Sequence, residues 1–399
     1  MRLLYVHDHI YSVFADRVYS GQFTETFFRR YLDFFDEITI VARSNTVDRE
    51  PVGLSLASGE NVRFKFAESI SSARSFVSLR RRQFDRVSAL IRENDLLLVR
   101  LPSEHGLLAA KAARRLGHAY AVEVVGCALD SMLSYGGIVP KLYAFLLYLR
   151  MRACVSRSRY VSYVTNTFLQ RRYPANRDAV TTAISNVSLD ISDDSVLARR
   201  LSHILVTRSS IRIGTIGSLK TRYKGIDTGI GAIAILRRLG FDVEYRVLGS
   251  GNVARYEALA ERLGVSDWVK FDGTREPGEA VSNWLDSIDL YVQPSLTEGL
   301  PRALLEAMSR GCPAVGTSVG GIPELLEPEE LVGKRDPRAL ARAIEELLGS
   351  RERMSEAARR NFEVAKRYRF AALQGRRREF LRHAIGRRCY KGKCRGVDS

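Results

Sequence analysis

Short unbroken apolar runs alternate along this chain with longer segments whose apolar positions recur at helical spacing. Leu3 to Val6 is continuously apolar, Phe23 to Phe35 mixes aromatic and polar residues at helical spacing, and Ile38 to Val41 is apolar again. This predicts a strand, helix, strand unit. The stretch 48–92 is less regular, with a strand expected at Val62 to Phe66 and a basic helix surface at Arg80 to Arg82. Further on, Leu96 to Val99 reads as a buried strand, Gly106 to Leu116 as a helix closed by Gly117, and Ala119 to Val125 as a strand ending at Gly126. Tyr160 to Val164 and Ala179 to Ile184 close this half, and the weak polar pattern over 185–209 marks a linker.

A second alternation follows. Strands are predicted at Ile211 to Ile216, Val243 to Leu248, Trp268 to Phe271, Leu290 to Val292 and Pro313 to Gly316. Helices are predicted at Gly225 to Leu239, Val253 to Leu263, Glu279 to Ser287, Arg338 to Leu348 and Glu352 to Arg367. Continuous apolar strands between helices are the pattern of parallel sheets covered on both faces. The expected architecture is α/β: a domain at 1–200, a second at 201–375 and a basic tail at 376–399. Two doubly wound sheets facing each other would leave a cleft between their strand ends, where ligands of such sheets bind.

Composition changes this picture little. At 399 residues the chain suits two domains, and 45% hydrophobic residues suffice for both cores. The balance of 62 Lys+Arg against 45 Asp+Glu, a net +17, favours anionic partners without choosing among nucleotide, nucleic acid and lipid headgroup. Nine of those cations, against Glu379 and Asp398, lie in the tail, read as a solvated or membrane-facing segment. Cys127, Cys154, Cys312, Cys389 and Cys394 are odd in number and unpaired with the histidines in any zinc-like spacing, so reduced, cytosolic thiols are expected. The start MRLLYVHDHI reads as a first strand rather than a signal peptide, and no apolar run is long enough to span a bilayer. Ile138 to Arg152, apolar and aromatic with Lys141, Arg150 and Arg152, fits either a buried helix or one lying on anionic lipid.

The chemistry concentrates in TEGLPRALLEAM, Thr297 to Met308. Pro301 suits the first residue of a helix, and Leu304, Leu305 and Met308 give that helix an apolar face. The amides of Gly299, Leu300, Pro301's neighbours and Ala303 then open onto an anion site at the positive end of the helix dipole. Glu298 and Glu306 flank it. Two more glycine-bearing turns, IGSLKTRYKG at Ile216 to Gly225 and LGSG at Leu248 to Gly251 with its Gly249, are expected to converge there. Arg222 and Lys224 can neutralise a diphosphate, and a carboxylate such as Glu306 can accept hydrogen bonds from ribose hydroxyls.

The chain resembles the retaining, nucleotide-sugar-dependent glycosyltransferases of family 4, through PSLTEGLPRALLEAMSRGCPAVGTSVGGIPELL (Pro294 to Leu326), GSLKTRYKG (Gly217 to Gly225), SGQFTETFFRRYLDFFDEITIVAR (Ser20 to Arg43) and EVVGCALD (Glu123 to Asp130). The resemblance implies the GT-B fold of two facing Rossmann-like domains. Glu298 and Glu306 match the family's E-x7-E pair, which places Glu298 at the donor sugar and Glu306 at the ribose. Lys224 matches a diphosphate-binding lysine, Gly21 the glycine loop after the first strand, and Arg275 a position beside the base. Departures are Ser218 where many members have arginine, Gln22 for a second glycine, and Val125, Gly126 and Cys127 in place of a histidine.

The resemblance further implies transfer of a sugar from a nucleoside-diphosphate sugar, commonly UDP-linked, to an acceptor hydroxyl with retention, Glu298 and Lys224 being the catalytic candidates. No cofactor or metal is expected. Asp193 and Asp194 fall in the linker and read as a solvated turn. A transferase building surface glycans at the inner face of the cytoplasmic membrane, with a glycan or lipid-linked acceptor, is one function class. A sugar-nucleotide epimerase, disfavoured by the E-x7-E spacing, is another. A third is a catalytically degenerate or nonenzymatic protein binding nucleotides, nucleic acid or other anions.

Overall fold

The computed structural model describes residues 1–68, 79–133, 138–187, 189, 193–206 and 210–386. Asp190, Cys389, Cys394 and the basic segment beyond residue 386 lie outside them, as does the Lys141 side chain. The first sheet contains β1 (Arg2–Phe14), β2 (Arg17–Ser20), β3 (Glu37–Thr46), β4 (Ser55–Leu56), β5 (Val62–Phe66), β6 (Leu96–Leu101), β7 (Tyr120–Val124), β8 (Tyr160–Tyr163) and β9 (Val180–Ala183). Its parallel part runs in the order β5-β3-β1-β6-β7-β8-β9. The second sheet contains β10 (Ile211–Ile216), β11 (Val243–Leu248), β12 (Val269–Phe271), β13 (Leu290–Gln293), β14 (Ala314–Thr317) and β15 (Leu331–Val332). It is parallel throughout, in the order β12-β11-β10-β13-β14-β15.

The central strands of both sheets are buried on both faces, which is why they read as continuous apolar runs. In the first, Leu4, Val6, Leu97 and Val99 point into one core, and Leu3, Tyr5, Ile38 and Leu98 into the other. In the second, Ile213, Val247 and Val292 face one core and Tyr291 and Ala314 the opposite one. Strand order reverses direction between β1 and β6, and again between β10 and β13. At these two switch points neighbouring loops diverge and leave a crevice beyond the strand ends.

Three features depart from the sequence expectation. First, β1 runs on to Phe14, because the pairing with β3 slips between Val6 and Ile10, and the extension then folds back as an antiparallel hairpin with β2. His7, Asp8 and His9 occupy the slip, a bulge that releases them from the ladder. Gly21 accordingly follows the hairpin strand β2 rather than the first strand. Second, the linker holds a helix, Ser195–Leu205, in which Ile204 and Arg200 are buried. The Arg200 guanidinium donates to the carbonyls of Ile288 (2.6 Å), Leu285 (2.8 Å) and Arg310 (3.2 Å), which satisfies its charge-bearing donors inside the second domain. Third, the tail placed at residue 376 begins inside a helix, Phe370–Ile385. That helix returns to the first domain: Phe380, Leu381 and Ala384 join its core, and Gln374 Nε2 donates to Arg30 O at 3.0 Å and Asp33 Oδ2 at 2.7 Å.

The domains also touch beside the cleft. Leu300, from the second domain, packs against the core of the first as well as its own. Glu324 accepts hydrogen bonds from the backbone N–H groups of Asn166 (2.6 Å), Thr167 (3.0 Å) and Phe168 (2.7 Å), capping the first-domain helix Phe168–Arg172. No helix among the described residues is long and apolar enough to cross a membrane.

Candidate active site

The loops leaving β10 and β13 lean on each other at the second switch point. Gly225 has φ +65°, and a Cβ there would lie 1.8 Å from the carbonyl oxygen of Pro294. Only glycine combines that left-handed backbone with so close an approach. Leu296 N donates to Tyr223 O at 2.7 Å and ties the same two loops together. The helix Arg302–Ser309 then starts one residue later than the sequence suggests: Pro301, at φ −73° and ψ 110°, stands just before it.

This packing places Lys224 against Glu298. Lys224 Nζ donates to Glu298 Oε1 at 2.7 Å, and the same oxygen accepts from Ser295 Oγ at 2.7 Å and Gln293 Nε2 at 3.1 Å. Both side chains are largely shielded, at 13% and 9% exposure. Burial disfavours the Lys224 ammonium, but the Glu298 carboxylate outweighs it and holds the pKa above the usual lysine value. The amine therefore stays charged.

In front of the pair lies a cavity of about 860 Å³ between the domains. Lys220, Arg222 and Arg335 supply cations to its wall, and Asp227 and Glu298 supply carboxylates. The first domain contributes Val125, Gly126 and Cys127, the segment just past β7. Cys127 accepts a hydrogen bond from the Tyr173 hydroxyl at 3.6 Å, and burial raises its thiol pKa. Gly299 is one place where the two domains approach closely at the site, since a Cβ added to it would meet Val125 O at 2.7 Å.

Of the residues singled out in the sequence, Arg222, Glu298 and Gly299 line the cavity and Lys224 stands behind Glu298. Gly249 abuts Gly217 at the base of the lysine loop, so the β10 and β11 turns do meet. Glu306 sits partly buried on the helix behind the cavity; desolvation raises its carboxyl pKa, against the pull of Arg302. Leu300 is packed between the domains and Pro301 is buried, and neither is along the wall. Gly21, beside Leu54 on the first domain, and the exposed Arg275 fall outside the lining. Ser218 does not face the cavity; its hydroxyl accepts from Lys220 N at 3.3 Å. Asp193 and Asp194 begin the helix Ser195–Leu205, Asp193 accepting from Ser195 N at 2.8 Å and Asp194 pairing with Lys366 at 3.0 Å.

Sequence reasoning missed Arg335, Asp227 and Lys220. Asp227 reads as an ordinary first-turn helix acid. Arg335 has a left-handed φ of +61° just before the helix Pro337–Leu348, far from any motif in sequence.

The first switch point carries a different arrangement. Asp8 accepts from the backbone N–H of Glu104 at 2.5 Å and pairs with the His105 ring, while His105 Nε2 lies 3.1 Å from Glu68 O. Glu104 in turn takes two bonds from Arg150, at 2.6 and 2.7 Å, and one from the Tyr143 hydroxyl at 2.5 Å. These interlocked groups fix the bulge in β1 and the start of the helix Glu104–Leu116 to the helix Ile138–Ser156.

Comparisons with known proteins agree with this architecture. Residues 210–350 match the family model described as glycosyl transferases group 1. Protein CapJ of Staphylococcus aureus is 30% identical over 381 residues, spanning 96% of this chain and 95% of that protein. The putative colanic acid biosynthesis glycosyltransferase WcaL of Escherichia coli (strain K12) is 38% identical over 134 residues, 31% of this chain and 33% of that protein. Among solved structures, Anabaena Alr3699/HepE in complex with UDP superposes with a TM-score of 0.67 at 16% identity, covering 96% of this chain and 99% of that one. The fold is GT-B, and with a relative of this identity matched almost end to end, the chain belongs to the group 1 glycosyltransferases.

Proposed function

We propose that the protein transfers a sugar from a nucleoside-diphosphate sugar, a UDP-sugar, to an acceptor hydroxyl with retained anomeric configuration. The acceptor is a glycan or lipid-linked sugar of cell-surface polysaccharide synthesis, met at the inner face of the cytoplasmic membrane. The observation that carries this reading is the Lys224–Glu298 pair at the wall of an interdomain cavity bearing Lys220, Arg222 and Arg335. The name of WcaL supports the polysaccharide context, and the UDP complex of HepE supports the donor class.

In this reading the diphosphate lies against Lys220 and Arg222 and draws Lys224 off Glu298, whose freed oxygen then accepts from a sugar hydroxyl. Side-chain cations, rather than a bound metal, neutralise the charge that grows on the leaving group. The bond from the anomeric carbon to the phosphate oxygen breaks, its electron pair staying on that oxygen. The acceptor oxygen bonds to the same face of the carbon, and its proton passes to the departing phosphate oxygen. Glu306 binds the ribose hydroxyls, and Gly249, Leu300, Pro301 and Gly299 shape the turns around the donor. Arg275 contacts the base.

The test is nucleotide release from a panel of UDP- and GDP-sugars, with membrane lipid extract as acceptor source, with and without a chelator. Glu298→Ala and Lys224→Ala serve as controls. Absence of release from every donor, with or without extract, overturns the proposal.

A further inference from the structure

The helix Ile138–Ser156 has a surplus apolar face. Its inward side buries Ala144, Leu147, Met151, Cys154 and Val155 in the first-domain core, which is all that docking it requires. The outward side nevertheless shows Leu142 at 72% exposure, Phe145 at 52%, Leu146 at 51% and Leu149 at 45%. Single exposed apolar residues are commonplace, but these four stand at i, i+3, i+4 and i+7 and form one continuous stripe.

Cations border the stripe. Arg152 follows on the same face, with Nη1 3.1 Å from the Tyr148 hydroxyl. At the same end a pocket of about 150 Å³ joins this helix to Glu104–Leu116 and is lined in part by Lys111, Arg114 and Arg157. It continues into a groove of about 470 Å³ that adds Arg81 and Arg115, with Asp85 as its acid. Lys111 feels this crowding: the field of Arg115 foremost, with desolvation and then Arg80, Arg114 and Arg150, lowers its pKa. Glu104, another carboxylate nearby, is already committed to Arg150 and Tyr143.

We infer that this face, the Leu142–Leu149 stripe with the cations of Lys111, Arg114, Arg115 and Arg157 beside it, seats the first domain on a bilayer containing anionic lipid. An apolar stripe that enters the acyl boundary, rimmed by cations that meet phosphate headgroups, matches such a surface in both parts. A second copy of the chain fits poorly, because pairing this face with itself would oppose its cations. Nucleic acid would leave the stripe unused. The placement has a geometric corollary: through Tyr143 and Arg150 the helix holds Glu104, whose backbone holds Asp8 at the first switch point. A lipid-borne acceptor would thus arrive at the first-domain side of the cleft. The inference rests on the proposed function only for that acceptor; the bilayer contact itself needs no donor.

The test is flotation of the full-length protein with vesicles of phosphatidylcholine alone and of phosphatidylcholine with phosphatidylglycerol. Binding should require phosphatidylglycerol and weaken with salt. Phe145→Ser with Leu146→Ser, and separately Lys111→Glu with Arg115→Glu, should each lower partitioning about tenfold or more, while Val52→Ser, at an exposed site in another part of the domain, leaves it unchanged. Nucleotide release without vesicles, measured on the same variants, should stay at the wild-type level; its failure in the parent protein would count against the donor reading and not against this one. Wild-type binding indifferent to phosphatidylglycerol, partitioning unaltered in both paired variants, or a concentration-dependent dimer lost in the Phe145/Leu146 variant would overturn the inference.

Discussion

Lys224 and Glu298 hold each other at 2.7 Å across two loops that are 74 residues apart in sequence. On the proposed function, a donor diphosphate would compete with a carboxylate already in place. That competition splits binding from turnover. Glu298→Gln frees the ammonium, so UDP should bind as tightly as in the parent or more tightly, while sugar transfer falls. Lys224→Ala removes the cation and should weaken UDP binding and slow transfer about a hundredfold. Calorimetry with UDP beside transfer kinetics reads both; weaker UDP binding in Glu298→Gln would show that the pair is not what the diphosphate displaces.

Glu324 joins the domains away from the cavity, by accepting three backbone N–H bonds from the start of Phe168–Arg172. Removing it strips a cap and leaves those donors to water. Glu324→Ala should cost about 1–2 kcal/mol in stability and enlarge the radius of gyration measured by small-angle scattering. Unchanged scattering would mean that the cap stabilises the helix without holding the cleft closed.

Gly225→Ala meets two obstacles at once, a left-handed backbone and the Pro294 carbonyl oxygen at 1.8 Å. The backbone conformation alone costs about 1–3 kcal/mol, and the clash adds a shift of the loop carrying Lys224. A lowered melting temperature together with lost UDP binding is expected. Intact UDP affinity in the folded variant would show that the lysine loop tolerates displacement.

The bulge in β1 makes stability depend on pH. His9 packs on Phe23 and Tyr11, with ring centroids 4.7 Å away in both cases, and burial first, then Arg100 and Arg43, lowers its pKa to about 4. Between the ordinary histidine range and pH 4 the unfolded chain binds a proton that the folded chain refuses, so stability is fully present above that range and drains as pH falls through it. The melting temperature should decline from pH 7 to pH 4.5, and less steeply in His9→Asn. Parallel curves for the two proteins would remove His9 as a cause.

How much of this is readable from sequence differs by element. The strands Leu96–Leu101, Ile211–Ile216 and Leu290–Gln293 announce themselves because they are buried on both faces. The turn carrying Glu298 and Gly299 is readable too, since glycine, proline and a helical apolar stripe follow one another there. The β1 extension is not: HDHIYSVF is polar enough to suggest a loop, and only the slip against β3 shows why it remains strand. The helix Phe370–Ile385 was hidden by its charge, although Arg377 is only 4% exposed and lies 5.8 Å from the Tyr31 ring centroid. Arginine used as interior surface is indistinguishable, letter by letter, from arginine in a solvated tail. Arg335 reaches the cavity through tertiary folding alone and has no local signal.

The helix Phe370–Ile385 gives the first domain a broken ancestry in synthesis. Its sheet is translated early, but Phe380, Leu381 and Ala384 leave the ribosome only after the whole second domain has emerged. Domains generally mature in the order they are made; here the first must wait, its Tyr31 side of the core uncovered, while the second is completed. A chain truncated at residue 369 and released should hold a protease-resistant second domain and a first domain still open to cleavage.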